Sequence, residues 1–501
     1  MDKKLTKGNG KMTRGVCVAA LACLVVPMFA SYFFDDIFST VSHLFNNPDA
    51  LELGWDSKDL GDFIGDYSLL CICGGLIVGG ILLDLFGVRI MGSVFIGMMV
   101  GGATLAWYAL SSGLPTDTAI ALGRIGRMAF GLGSEIAGVA VTRSIAKWFR
   151  NGRLSLAMGL QLAIARLGTG VALIAAPFIV GVPKEFYSLA DTSRPALIGL
   201  MLLLFGTFVW AVFVFLDARF DRRREAFDQT GGCKTDDCKT DGCKTGGCKT
   251  DGCKTEDGGQ MNRGPRRGQI REEDRFRFRD ILTVLGNTRF LMLGLLCVTF
   301  YCCVSSFKKF GTAVVIPRFG IESSVAGTMV AMIPFFTIIF TPLFGALVDK
   351  YGRGTLWMCA GAAAVAVGHL IIAFAPQGVA VFGYIGIAFL GIGYSLVPSA
   401  MWPSVPKIIP EKNLGTAYSL IYWIQNLGLF FVPKIVGRIF ARSAGVAAGA
   451  IEAGTLEAAT RVEYLFVGLA AAAIILALLF RHSSRLHPEL QLDDCAAKKN
   501  S

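Results

Sequence analysis

Charged side chains set inside otherwise apolar stretches decide what chemistry this chain is equipped to perform. Arg127 and Glu135 share one such stretch, Arg-Met-Ala-Phe-Gly-Leu-Gly-Ser-Glu, and lie about two helical turns apart. Arg166 stands in the next, within Gln161-Leu162-Ala163-Ile164-Ala165-Arg166-Leu167-Gly168. A guanidinium offers a planar fork of donors, so Arg166 suits a carboxylate gripped at two points. Glu135 suits an amine, or a proton in transit, and together the two suit a zwitterion. The alternative is an ion pair that only fixes the packing of neighbouring helices. Lys308 and Lys309 interrupt a third stretch. On a helix they point about 100° apart, so one of them at most faces a shared cavity and the other snorkels; Lys308 is the candidate. Gln425 and Asn426 add amides that need partners, in a helix or in a ligand.

The elements that position these groups are membrane spans. Hydrophobic residues make up 53% of the 501 and charged ones 17%, too few charges to clothe a soluble protein of this apolarity. Crossing ~30 Å of hydrocarbon takes roughly 20 apolar residues. Runs of that kind fall near 15–35, 62–83, 90–112, 118–141, 154–181, 195–217, 289–316, 323–348, 354–375, 378–399, 414–439 and 461–480. The first is longer than a signal-peptide core and lacks a small-residue cleavage site, so it counts as a span. The expected fold is an all-α membrane protein of about twelve transmembrane helices in two six-helix halves.

Basic residues fix the expected orientation. Lys3, Lys4, Lys7, Lys11 and Arg14 precede run 1, and Lys147, Arg150 and Arg153 follow run 4. Arg222, Arg223 and Arg224 follow run 6, and Lys350, Lys407 and Arg481 follow later even runs. The first opposite loop instead holds Asp35, Asp36, Asp49, Glu52, Asp56, Asp59 and Asp62. The positive-inside rule places both termini in the cytoplasm. The chain then divides into a tail at 1–14, a first half at 15–217, a cytoplasmic linker at 218–288, a second half at 289–480 and a tail at 481–501. This distribution, in alternate loops, accounts for the formal charge of +11 without a nucleic-acid partner.

One signature recurs after the second span of each half: Gly80, Asp84, Gly87, Arg89 in the first and Gly345, Asp349, Gly352, Arg353 in the second. Glycines permit a tight turn and close helix approach, and a carboxylate near a helix end pairs with a basic residue. The pattern resembles the loop 2–3 signature of the major facilitator superfamily, although Leu85 and Val88 stand where that family prefers basic residues. Arg127-x-x-x-Gly131-x-Gly133 resembles its helix 4 signature, which some members use in proton coupling. The resemblance implies alternating access, with these charges holding the two halves together on the cytoplasmic side in one state and releasing them in the other.

A narrower resemblance rests on Gly-x-Gly-x-Glu135, on Gln-Leu-x-x-Ala-Arg166-x-Gly, and on Trp402-Pro403 followed by Gln425-Asn426-x-Gly. The close of helix 1, Ser31-Tyr32-Phe33-Phe34-Asp35-Asp36, shares it. These look like a branch of the superfamily that carries dipeptides across the lysosomal membrane as uniporters. It implies that Glu135 and Arg166 grip peptide termini, and it adds Tyr32 and Trp402 to the expected solute-binding set with Lys308, Gln425 and Asn426. The glycine and Gly-Pro pattern of drug antiporters is not evident from Gly168 to Pro177. The tail has no dileucine-type lysosomal address, which predicts the cell membrane, plasma or inner.

Within the linker, Cys233, Cys238, Cys243, Cys248 and Cys253 recur every five residues, each followed by Lys-Thr. Short perfect periodicity rich in Gly, Asp and Lys predicts a solvated linker, and the spacing lacks the C-x-x-C knuckle of zinc sites. Metal or redox sensing is the sharper alternative. The remaining prominent cysteines lie in apolar runs and act as small hydrophobes. No hydrolase nucleophile set, phosphate-cradling loop or metal-ligand set appears, and His43, His369, His482 and His487 are the only histidines. The expectation is therefore a monomeric transporter in a lipid bilayer, without cofactor or catalytic activity, moving a dipeptide or similar zwitterion. Its rivals are a carrier of organic anions such as sugar acids, and a membrane sensor signalling through 218–288.

Overall fold

The computed structural model describes residues 14–149, 154–229, 278–410, 413–444 and 451–494. The cysteine repeat, both extreme tails, and Arg150 and Arg153 lie outside the described residues. The first half comprises α1 (Arg14–Asp36), α2 (Ser57–Asp66), α3 (Leu76–Ser111), α4 (Thr116–Phe149), α5 (Leu154–Val180) and α6 (Leu189–Gln229). A short α7 (Phe278–Leu285) then leads to α8 (Thr288–Phe319), α9 (Ser323–Tyr351), α10 (Gly354–Phe374) and α11 (Ala380–Met401). The chain closes with α12 (Val405–Ile408), α13 (Leu414–Ala444) and α14 (Ile451–Leu486).

Among the described residues, eleven stretches of helix are long and apolar enough to cross a membrane. The twelfth crossing is α4, whose apolar run is interrupted by Arg124, Arg127, Glu135 and Arg143. The second span is α2 joined through a π turn at Cys71–Gly75 to the start of α3, and α3 itself breaks at Gly87, where φ is 79°. Gly352 ends α9 with φ 64°. Both copies of the repeated signature thus place a glycine where an L side chain is strained, which is why the turn needs that residue. Asp56 opens α2 through a reciprocal capping box with Asp59, and Asn287 caps α8. α6 continues past 217, the expected end of the sixth span, to Gln229.

Twelve crossings bring Arg14, which opens α1, and Leu486, which closes α14, to one end of the bundle, called here the terminal end. The halves meet at the other, far end. There α2 lies against α13 so closely that a Cβ on Gly437 would come 2.4 Å from the carbonyl oxygen of Ser57 and 2.9 Å from Cα of Gly61. Between α1 and α2, the 3-10 turn Ser39–Asn46 is wedged among α8, α5 and α9, with Ser42 Oγ 3.2 Å from Thr312 Oγ1. At the terminal end, Gly80 and Gly345 have nothing within 4 Å of the position a Cβ would take. Gly437→Ala should therefore cost about 1–3 kcal/mol by overpacking, whereas Gly345→Ala should stay within about 0.5 kcal/mol. Thermal unfolding in detergent reads both, and equal shifts would contradict the one-ended closure.

Candidate functional site

A cavity of about 760 Å³ lies between the halves. It runs from Ile64 and Pro433, under the far-end contacts, to Gly159 and Gly345 near the terminal end, where both glycines face open space. The cavity is therefore open toward the terminal end and shut at the far end.

Glu135 and Arg166 both line it. Gly131 lets α4 approach α2 until a Cβ there would sit 2.0 Å from the Tyr67 carbonyl oxygen, and this brings the Tyr67 hydroxyl to 3.2 Å, donating to Glu135 Oε1. Arg166 leans the other way, its guanidinium carbon 4.8 Å from the ring centroid of Tyr394. The expected contact between Glu135 and Arg166 is not made. Among the described residues neither has an opposite charge within the 4.0 Å of an ion pair. The bland reading of a packing ion pair between α4 and α5 thereby loses its footing.

Tyr32, Trp402 and Gln425 are on the cavity wall as expected, Trp402 at the start of the 3-10 turn Trp402–Ser404 that follows α11. Asn426 is not. One residue further round α13, it is buried away from the cavity and donates to the Tyr422 carbonyl of its own helix at 3.0 Å. The expectation that only one lysine faces the cavity also fails, since Lys308 and Lys309 both reach it. Their long stems bend toward a shared pair of carboxylates. Lys308 Nζ is 2.7 Å from Asp36 Oδ2, and Lys309 Nζ is 2.7 Å from Asp35 Oδ2 and 2.6 Å from Asp36 Oδ1.

The structure corrects the placing of Asp35, Asp36 and Asp62 in the first opposite loop, since the first two end α1 and the third lies in α2. Asp36 is fully buried and also accepts from Thr169 Oγ1 at 2.7 Å. Arg127, buried behind the cavity among Phe63, Tyr67 and Phe130, pairs with Asp35. Nearby, Asp66 joins Lys434 and Arg124, each at 2.5 Å, and Asp62 joins Lys434 at 3.6 Å and Arg438 at 3.4 Å. Each of these ion pairs that crosses between the halves has its carboxylate in the first half and its cation in the second. Sequence reasoning missed these pairs; the signals that could have raised them are Lys434 inside an apolar run and two adjacent lysines inside another.

Among the described residues the repeated signature makes no such crossing. Arg89 bonds Asp217 at 3.1 Å and Asp221, both on α6 of its own half, where Lys147 joins them. Asp349 is exposed and forms no ion pair among the described residues, and the Arg353 amide donates to the Asp493 carbonyl at 2.8 Å. The side chain of Asp84 lies outside the described residues. Among the described residues, the ion pairs that join the halves are those of the far end.

Two helical halves, shut at one end over a central cavity that carries charged side chains and open at the other, define a transporter of the alternating-access kind. The chain belongs to the major facilitator superfamily, whose family model matches residues 24–433 and again 300–493. It is 27% identical over 374 residues to the lysosomal dipeptide transporter MFSD1 of Mus musculus, covering 74% of this chain and 68% of the relative. The Homo sapiens protein of the same name is 27% identical over 376 residues, with the same coverage. Among solved structures, a bacterial homologue of the human lysosomal transporter Spinster, inward-facing and unoccupied, superposes with TM-score 0.64 at 13% identity, covering 96% of this chain and 99% of that one. A D-xylose–proton symporter superposes with TM-score 0.63 at 14% identity, covering 92% and 97%. The structural likenesses speak to the fold.

Proposed function

We propose that this protein carries dipeptides or similar small zwitterions across a membrane, with Glu135 holding the amine and Arg166 the carboxylate. The observation that carries this reading is the pair of opposite charges lining one cavity, each without a counter-ion within 4 Å among the described residues. Leaving a charge unpaired at membrane depth is costly, so such a pair is stable only with a solute or water to complete it. The similarity to dipeptide transporters of the lysosome supports the same solute class. The terminal end faces the cytoplasm in this proposal, because the basic loops lie there, and the conformation described is then cytoplasm-open.

The test is a comparison of a dipeptide with its N-acetyl derivative in proteoliposomes. Wild-type protein should prefer the free amine by about tenfold or more, the scale of one charge-assisted hydrogen bond. Glu135→Gln should erase that preference and slow dipeptide transport. An organic-anion carrier, the second reading, is favoured by one feature: the cluster of Arg127, Lys308 and Lys309 with Asp35 and Asp36 holds one surplus positive charge. It would show indifference to acetylation in the wild type and no loss in Glu135→Gln.

A further inference from the structure

The two anchors of the cavity are held differently. Glu135 is steadied by Tyr67, a residue of its own half. Arg166 belongs to the first half, but the ring beneath it, Tyr394, belongs to the second. That ring is fixed from several sides. Its hydroxyl lies 3.2 Å from Ser305 Oγ, it stacks on Phe300 with centroids 6.2 Å apart, and it meets Tyr301 edge-on at 5.6 Å. Tyr301 is held in turn by the indole N–H of Trp402 at 3.3 Å.

A guanidinium is attracted to the negative face of an aromatic ring, most strongly where water is excluded. Its donors lie in its own plane, so a cation resting over a ring keeps N–H groups for a carboxylate at its edge. A bound carboxylate would then be tied through Arg166 to Tyr394, and so to the opposite half. The printed hydrogen bond at the amine end, from Tyr67 to Glu135, stays within the first half.

We propose that Tyr394 is a positioning residue, holding Arg166 in the orientation that grips a carboxylate and transmitting occupancy of that grip to the second half. The proposal rests on Arg166 being the carboxylate anchor. It assigns the two ends of the solute different tasks: the amine end contributes recognition, and the acid end contributes the link between halves. A dipeptide amide, which lacks the carboxylate, should bind weakly and act as a competitor that is hardly transported.

The experiment measures binding by thermal shift and transport in proteoliposomes, for a dipeptide and its C-terminal amide, in wild type, Tyr394→Phe and Tyr394→Leu. Tyr394→Met replaces the leucine variant if that protein does not fold. Expected is that phenylalanine, which keeps the π face, holds the wild-type preference for acid over amide within about twofold. Loss of the ring should cut that preference by about tenfold and lower kcat for the dipeptide, beyond any loss of ligand-free Tm that follows from removing a buried ring. An unaltered preference in the leucine or methionine variant overturns the proposal, as does a phenylalanine variant that loses as much as they do. If wild-type protein binds no dipeptide but binds a sugar acid, the dipeptide reading fails alone and the same acid-to-amide ratio is read on the sugar acid. If it binds neither, both readings fall.

Discussion

Asp36→Asn is expected to destabilise the protein by about 3–5 kcal/mol, the cost of leaving a buried charge without its partner. Asparagine can keep the contact with Thr169, but Lys308 has no other carboxylate within 4 Å. Lys309 would retain Asp35. The stranded ammonium can be relieved by unfolding or by hydration through an opened far end. Thermal unfolding reads the first, and maleimide labelling of a cysteine placed at Thr312, now buried beside Ser39 and Ser42, reads the second. Adding Lys308→Met should restore at least half of the loss, because a neutral pair in a dry site is tolerated where a lone charge is not. A single variant as stable and as closed as wild type would refute the seal, and so would a double variant no better than the single one.

Arg166→Leu should behave in the opposite way. Truncating one partner of a buried, hydrogen-bonded charge pair costs about 2–5 kcal/mol of binding, so transport of a carboxylate-bearing solute should fall by at least about thirtyfold. Stability should hold or rise, since no carboxylate of the described residues pairs with this guanidinium and its removal strands no counter-charge. Arg166→Lys should recover little, because a point charge lacks the planar fork and the stacking face. Flux through reconstituted vesicles and melting in detergent separate the two quantities. A leucine variant that melts far below wild type would mark Arg166 as a structural residue.

These two outcomes mirror how the molecule could be read from its residues. The spans were legible because hydrocarbon thickness and hydropathy act locally along the chain. Even α4, whose charges break its apolar run, kept the Arg-x-x-x-Gly-x-Gly-Ser-Glu135 pattern that marked it. Glu135 and Arg166 were legible for the same reason, as charges in the wrong solvent. The seal was not. Asp66 and Lys434 are 368 positions apart, and Asp36 and Lys308 are 272 apart, so no window of sequence contains both members of either pair. Asp35 and Asp36 end a helix and precede an acidic loop, which made them read as loop residues. Lys308 and Lys309 misled by a different route: helical geometry fixes where a Cα–Cβ bond points, but not where a four-carbon stem ends. Asn426 is the converse, a short side chain that goes where its backbone aims it.

The uniform sense of the cross-half ion pairs, acids on the first half and bases on the second, has a dynamic consequence. Because all of them attract, their pulls add, yet in salt water such attraction fades over about 8 Å. Apart by more than that, the halves scarcely feel one another; within it, the force climbs abruptly. The far end should thus work as a detent that snaps home late in the stroke, giving the carrier two crisp resting positions instead of a continuum between them.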